Sequence, residues 1–148
     1  MTGSLADRQA ALVAALTSGA PLPGGFDPRL VEAARVALLR KRAGEVARNW
    51  PELAGACGRE WFEVWSAWAA TRPTRGSLRD GWDLARDLRA RGELPAAAGA
   101  ELAVREATLT YDGSAPPRPR RRPALRTVAG AWVLQAGGRV RVLRRPAA

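Results

Sequence analysis

Three groups of side chains in this 148-residue chain are of a type and spacing that could do chemistry. Asp80, Asp83 and Asp87 fall along one side of a helix and could hold a cation, but Arg79, Arg86, Arg89 and Arg91 interleave with them. A solvated, ion-paired face is the plainer reading of that mixture. Cys57 is the single cysteine and sits near a predicted helix end among apolar residues, where it reads as a small buried thiol. The third group is an arginine-rich C-terminal tail. The chain has no histidine, which removes the commonest general base and the commonest metal ligand together. Ser/His/Asp and Cys/His catalysis are therefore excluded, and neither a GxGxxG nor a Walker loop is present. No catalytic residue, metal site or cofactor is expected, and an enzyme is not the expected reading.

The tail stands out when charge is counted by segment. The formal net charge is +10. Residues 1–113 hold 15 Lys+Arg and all 14 Asp+Glu, a balance of +1, whereas residues 114–148 hold nine arginines and no acid. Like charges at that density repel unless an anion is near. Arg118, Arg120, Arg121, Arg122, Arg126, Arg144 and Arg145 are the candidate anion-binding residues. Lysine is scarce while Ala, Gly and Pro are abundant, so arginine usage partly reflects coding bias. A second basic run, Arg40-Lys41-Arg42, could clamp an acidic partner or simply form a solvated helix surface.

The elements that must position these groups are mostly helical. Ser4 with Asp7 reads as a capping box opening a first helix, which Gly19 stops. Asp27 caps a second helix with Pro28 in its first turn, running to about Asn49. Trp50-Pro51 breaks it, because a residue before proline avoids the α region. A short helix over 51–57 follows, then Gly58, then a tryptophan helix ended by Arg72-Pro73. Ser77 with Asp80 reads as a second capping box, and the helix it opens ends at Gly92; Pro95 starts a last helix to about Leu109. No run is long and apolar enough to span a membrane, and one cysteine fits a reducing cytoplasm.

Aromatic spacing locates the core. Trp61, Trp65 and Trp68 recur at i, i+4 and i+7, one helical face, with Phe62 widening the stripe. With Trp50 and Trp82 they are expected to form the structural core of a mainly α domain of five or six helices. Composition then changes. Residues 1–113 are the helical domain, 114–124 an Arg/Pro-rich, polyproline-like linker, and 125–148 a basic two-stranded β-hairpin turning at Gly137-Gly138. Arg139, Val140, Arg141 and Val142 alternate, giving one basic and one apolar face. A lone hairpin is marginal in water, so it must dock on the helices through Trp132, Val133, Val140 and Val142 or pair with another chain.

The residues carry a family resemblance. The segments ADRQAALVAAL, ALLRKRAGEVARNWPELAGACGREWFEVWSAWAATRPTRGS and LPAAAGAELAVREATL, in that order, resemble the N-terminal helical domain of HvfC/BufC-type proteins over roughly residues 5–110. Trp50-Pro51 stands at an aromatic-Pro pair of that family, Gly58 and Phe62 in a G-x-x-[FW]-F pattern, and Leu94-Pro95 at the start of the final helix. The chain departs from it in having only a hairpin where relatives carry a fuller C-terminal domain. The resemblance implies a non-catalytic accessory protein, partner to a multinuclear non-haem iron oxidative enzyme and to the ribosomal precursor peptide that enzyme modifies. Iron and chemistry would belong to the enzyme. The same domain also carries a DNA-binding designation, so a nucleic-acid binder using the basic tail is the alternative. The residues expected to meet partner or peptide are Arg139, Val140, Arg141, Val142, Leu143 and Trp132 of the hairpin, with Arg40, Lys41 and Arg42. An exposed edge at 139–143 is expected to receive an extended peptide.

Overall fold

The computed structural model describes residues 4–128 and 131–144. It is mainly helical, with small antiparallel sheets at the C-terminal end. The helices are α1 (Leu5–Ser18), α2 (Pro28–Asn49), α3 (Pro51–Cys57), α4 (Trp61–Ala69), α5 (Ser77–Ala90) and α6 (Ala96–Thr108), with a 3-10 turn at Gly58–Glu60. The strands are β1 (Leu109–Thr110), β2 (Arg118–Pro119), β3 (Ala124–Val128), β4 (Ala131–Ala136) and β5 (Arg139–Arg144). Among the described residues no helix is long and apolar enough to cross a membrane.

Local chemistry sets the helix ends. Ser4 Oγ accepts from the Asp7 N–H at 3.2 Å while Asp7 returns a carboxylate to the Ser4 N–H at 2.9 Å, closing a capping box. Asp27 accepts from the Arg29 N–H at 2.8 Å ahead of Pro28. The expected capping box at Ser77 does not form. Gly76 is the N-cap of α5 and Ser77 is already helical. Asp80 turns back instead to accept from the Arg75 N–H at 2.8 Å and from Thr74 Oγ1 at 2.6 Å, tying down the α4–α5 connection.

The tryptophans meet where α2, α3, α4 and α5 converge. Trp50, Trp65 and Trp82 are fully buried and Trp68 nearly so, whereas Trp61 and Phe62 are partly buried and pack against that cluster. Trp50 stands edge-on to Trp82, with centroids 5.9 Å apart and planes at 70°, a favoured aromatic geometry. Its indole N–H donates to the Leu78 carbonyl at 3.0 Å, giving the buried polar tip a partner. Arg105 covers the other side, its guanidinium carbon 4.3 Å from the Trp50 ring centre.

The C-terminal third differs from the expected linker and hairpin. Residues 125–135, read from sequence as one strand, divide into β3 and β4, and with β5 they make a three-stranded antiparallel sheet in the order β3-β4-β5. The division falls between Val128 and Ala131, which pair with each other. The linker is not free polyproline either. Arg118-Pro119 pairs antiparallel with Leu109-Thr110, and the Arg120 N–H donates to the Thr108 carbonyl at 2.8 Å. Proline is tolerated there because the ladder is two residues long and open-edged. The three-stranded sheet packs on α6 of the same chain, Val133 being buried against Ala103 and Ala107 with Val104, Val128 and Val140 around them.

Candidate functional site

The pleat gives the sheet two chemically different faces. Registration places Leu125, Leu134 and Arg141 in one row and Thr127, Trp132 and Leu143 in the next. This face points away from α6. Trp132 is 46% exposed, Leu125 56% and Leu143 49%, an apolar surface that monomers rarely leave open without use. The opposite face carries the buried Ala124, Val133 and Gln135. Val133 and Val140 thus dock on the helices as expected, but Trp132 does not. One residue of offset along a strand reverses the face, so Trp132 stands opposite to Val133. Val142 is half exposed and does not join that contact.

The tail arginines gather beside this sheet. Arg118, Arg120 and Arg126 share a cleft of about 490 Å3 with Arg86, Glu106, Tyr111 and Asp112. Arg118, Arg120, Arg121 and Arg122 with Thr110 and Pro119 border another of about 550 Å3. Among the described residues, no carboxylate lies within ion-pair distance of Arg118, Arg120, Arg121, Arg122, Arg126, Arg139 or Arg141. The Arg120 Nε is buried without a hydrogen-bond partner, a donor in need of an acceptor. Arg144 pairs through its backbone with Ala131, and Arg145 lies outside the described residues.

Both acids of the arginine cleft are already engaged. Glu106 receives Arg86 at 3.0 Å and Arg89 at 3.1 Å. Burial alone would push its carboxyl up, but the hydrogen bonds from Arg89 and Arg86 outweigh burial and hold it below the usual glutamate value. Asp112 accepts from the N–H groups of Ser114 and Ala115 and from the Ser114 hydroxyl, which lower its carboxyl to about 2. Neither carboxylate is thereby available to Arg118, Arg120 or Arg126.

The other candidates resolve differently. Arg40, Lys41 and Arg42 do not form a common surface. Arg40 lies over Phe62, Lys41 faces Glu45 at 4.0 Å, and Arg42 is buried. Successive residues on a helix turn by about 100°, so three adjacent charges point three ways. Arg42 donates twice to the Arg72 carbonyl at 3.2 Å and lies 3.5 Å from Asp80, which corrects its assignment as a partner-binding residue. The aspartate row is not a uniformly solvated face either. Asp80 is buried, Asp83 takes Arg75 at 2.6 Å and the Tyr111 hydroxyl at 3.0 Å, and Asp87 takes the Trp68 indole N–H at 2.6 Å. Their partners come from Arg42, the 68–75 region and Tyr111 rather than from the interleaved arginines. Cys57 is half-buried, and burial followed by the nearby Glu60 charge pushes its thiol up, away from the reactive thiolate. No group of three or more His, Cys, Asp or Glu among the described residues could hold a metal ion.

Sequence reasoning did not find Arg86, Glu106 and Tyr111 as cleft residues. They come from α5, α6 and the segment after β1, and only folding brings them to the tail arginines.

Comparison with known proteins adds a frame for this geometry. A UPF0276 protein of Streptomyces avermitilis is 38% identical over 123 residues, covering 82% of this chain and 25% of that protein. The chain thus spans about a quarter of the length of the curated relative it matches. No solved structure matches it. Residues 6–90 match the SCO6045-like, C-terminal domain family, and the chain belongs to that family.

Proposed function

We propose that this SCO6045-like chain is a non-catalytic partner subunit that docks on a peptide-modifying enzyme and holds that enzyme's precursor peptide. The observation that carries the reading is the open sheet. A helical body presents three strands whose outer face exposes Leu125, Trp132, Leu134 and Leu143, beside arginines that have no carboxylate within ion-pair distance among the described residues. Apolar area ringed by charge is the composition of a protein interface, and an edge strand adds backbone donors and acceptors for an extended ligand.

The likeness to a stretch that makes up a quarter of a longer protein supports a partner role, because such a module works beside a neighbour. By resemblance to HvfC/BufC-type proteins, that neighbour is a multinuclear non-haem iron oxidative enzyme. In this reading the iron is the enzyme's, and this chain positions peptide. Affinity purification of the full-length chain from its native host tests the proposal. An iron-containing oxidative enzyme should co-elute, and Trp132→Glu with Leu134→Glu should abolish its retention. Retention of no such enzyme, or equal retention by the double variant, overturns it.

The second reading, nucleic-acid binding, is favoured by the uncompensated arginines of residues 118–126. Engagement of six phosphates would give a log–log salt slope of roughly −5. A gel-shift series without binding at low salt removes it.

A further inference from the structure

We infer that the arginine cleft is a carboxylate-binding site and that β3, rather than β5, is the edge that receives a peptide strand, so that the ligand is an acidic extended peptide. This rests on the partner-subunit reading and names the ligand class and its address.

Two clefts adjoin along β3. The first, about 410 Å3, is lined by Leu125, Arg126, Thr127 and Val128 of β3 and by Ala96, Gly99 and Ala103 of α6. The second is the arginine cleft, and both are bordered by Arg126 and Glu106. A ligand lying in the first therefore runs into the second. The α6 residues along it, Ala96, Gly99 and Ala103, are small, and a Cβ built on Gly99 would touch Leu94 and Val128 at 3.8 Å without clashing.

The ladder itself shows which β3 groups are free. Ala136 pairs with Arg139 across the two-residue Gly137-Gly138 turn, and such a closing pair exchanges both of its hydrogen bonds, so Ala131, Val133 and Gln135 are left to bond to β3. Val128, Arg126 and Ala124 therefore bond to β4, while Leu125 and Thr127 direct their N–H and C=O away from it. The Leu125 carbonyl accepts from the Arg126 guanidinium at 3.0 Å, a contact that an incoming strand N–H would replace. Displacing Arg126 frees its guanidinium for an anion beside Arg118 and Arg120, whose own cleft acids are already engaged. Five residues of β3 match a ligand segment about 17 Å long. None of these clefts is lined by β5, whose outer side carries Arg139 and Arg141 instead. Charged side chains are a common guard of an edge strand. A phosphodiester backbone would fit the arginines but not the Ala/Gly floor of α6.

The test uses the full-length chain and fluorescein-labelled synthetic peptides of alternating Val and Glu, with Val/Gln peptides and a DNA duplex for comparison, read by anisotropy. The Val/Glu peptide should bind, and the Val/Gln peptide about tenfold more weakly. Thr127→Pro removes an outward N–H without removing a ladder bond and should weaken binding about tenfold, while Val142→Pro on β5 leaves it unchanged. Arg118→Glu with Arg120→Glu should weaken it similarly even if Thr127→Pro disturbs the strand. Absence of binding by the wild-type chain, equal binding of the Glu and Gln peptides, loss with Val142→Pro but not Thr127→Pro, or tighter binding of the duplex each overturns the inference. Enzyme co-elution is scored separately, so the partner reading can fail while the peptide site stands, and the reverse.

Discussion

The indole of Trp50 occupies the space that a side chain on Gly81 would need: a Cβ there would lie 2.2 Å from Cδ1 and 2.4 Å from Nε1. Gly81 sits inside α5, where glycine costs helix stability, yet its absent side chain is what lets the α2–α3 junction close on α5. The T-shaped contact between Trp50 and Trp82 depends on that approach.

Gly81→Ala should therefore destabilise the fold by about 1–3 kcal/mol through overpacking. Gly44→Ala is the contrasting control. It also lies within a helix, but its Cβ would meet only the flexible tip of Arg48 at 4.0 Å, so it should stabilise by about 0.5–1 kcal/mol. Urea unfolding of both variants should give shifts of opposite sign.

Arg42 and Asp80 form a pair with side-chain exposures of 6% and 4%. Removing one partner of such a pair leaves an uncompensated buried charge, so Asp80→Ala should cost about 3–5 kcal/mol. It also strips acceptors from the Arg75 N–H and the Thr74 hydroxyl. Arg42→Met leaves Asp80 with those two donors and should cost less. A double-mutant cycle by thermal unfolding measures the coupling.

Tyr111 is the only tyrosine, so its ionisation can be read directly at 295 nm. Burial first, and then its hydrogen bond to Asp83, push its hydroxyl up to about 12. A phenol raised above its unfolded value of about 10 stabilises the fold fully below that value. The contribution is lost as pH rises through about 12. Wild-type stability should fall more steeply than that of Tyr111→Phe between those limits, and a titration midpoint near that of free tyrosine would contradict the burial.

Glu106 gives the opposite sign. Its folded value is depressed, so its contribution is present above the ordinary glutamate value and disappears as pH falls through the folded one. Glu106→Gln should flatten the acid limb of the stability curve, measured by urea unfolding at stepped pH.

Trp132 should behave unlike the other five tryptophans. Trp132→Ser should change stability by less than about 1 kcal/mol, against about 3–5 for Trp65→Ala, which would empty a core position. Iodide should quench Trp132 selectively in the free chain, and partner binding should protect it.

The sequence by itself determined the helices. Capping residues, proline placement and the 3.6-residue spacing of Trp61, Trp65 and Trp68 are local signals, and α2, α3 and the burial of Trp50, Trp65 and Trp82 follow from them. It also determined that the excess charge lies in the last 35 residues, since counting needs no coordinates. Tertiary structure alone decided what those charges meet. Whether an arginine is a surface group or half of a buried pair depends on what lies across from it, as Arg42 and Asp80 show at a separation of 38 residues. The pairing of β3 with β4 and the outward face of Trp132 rest on register, which is set by packing against α6. The arginine cleft likewise joins α5, α6, β1, β2 and β3, a meeting that no short window of sequence contains.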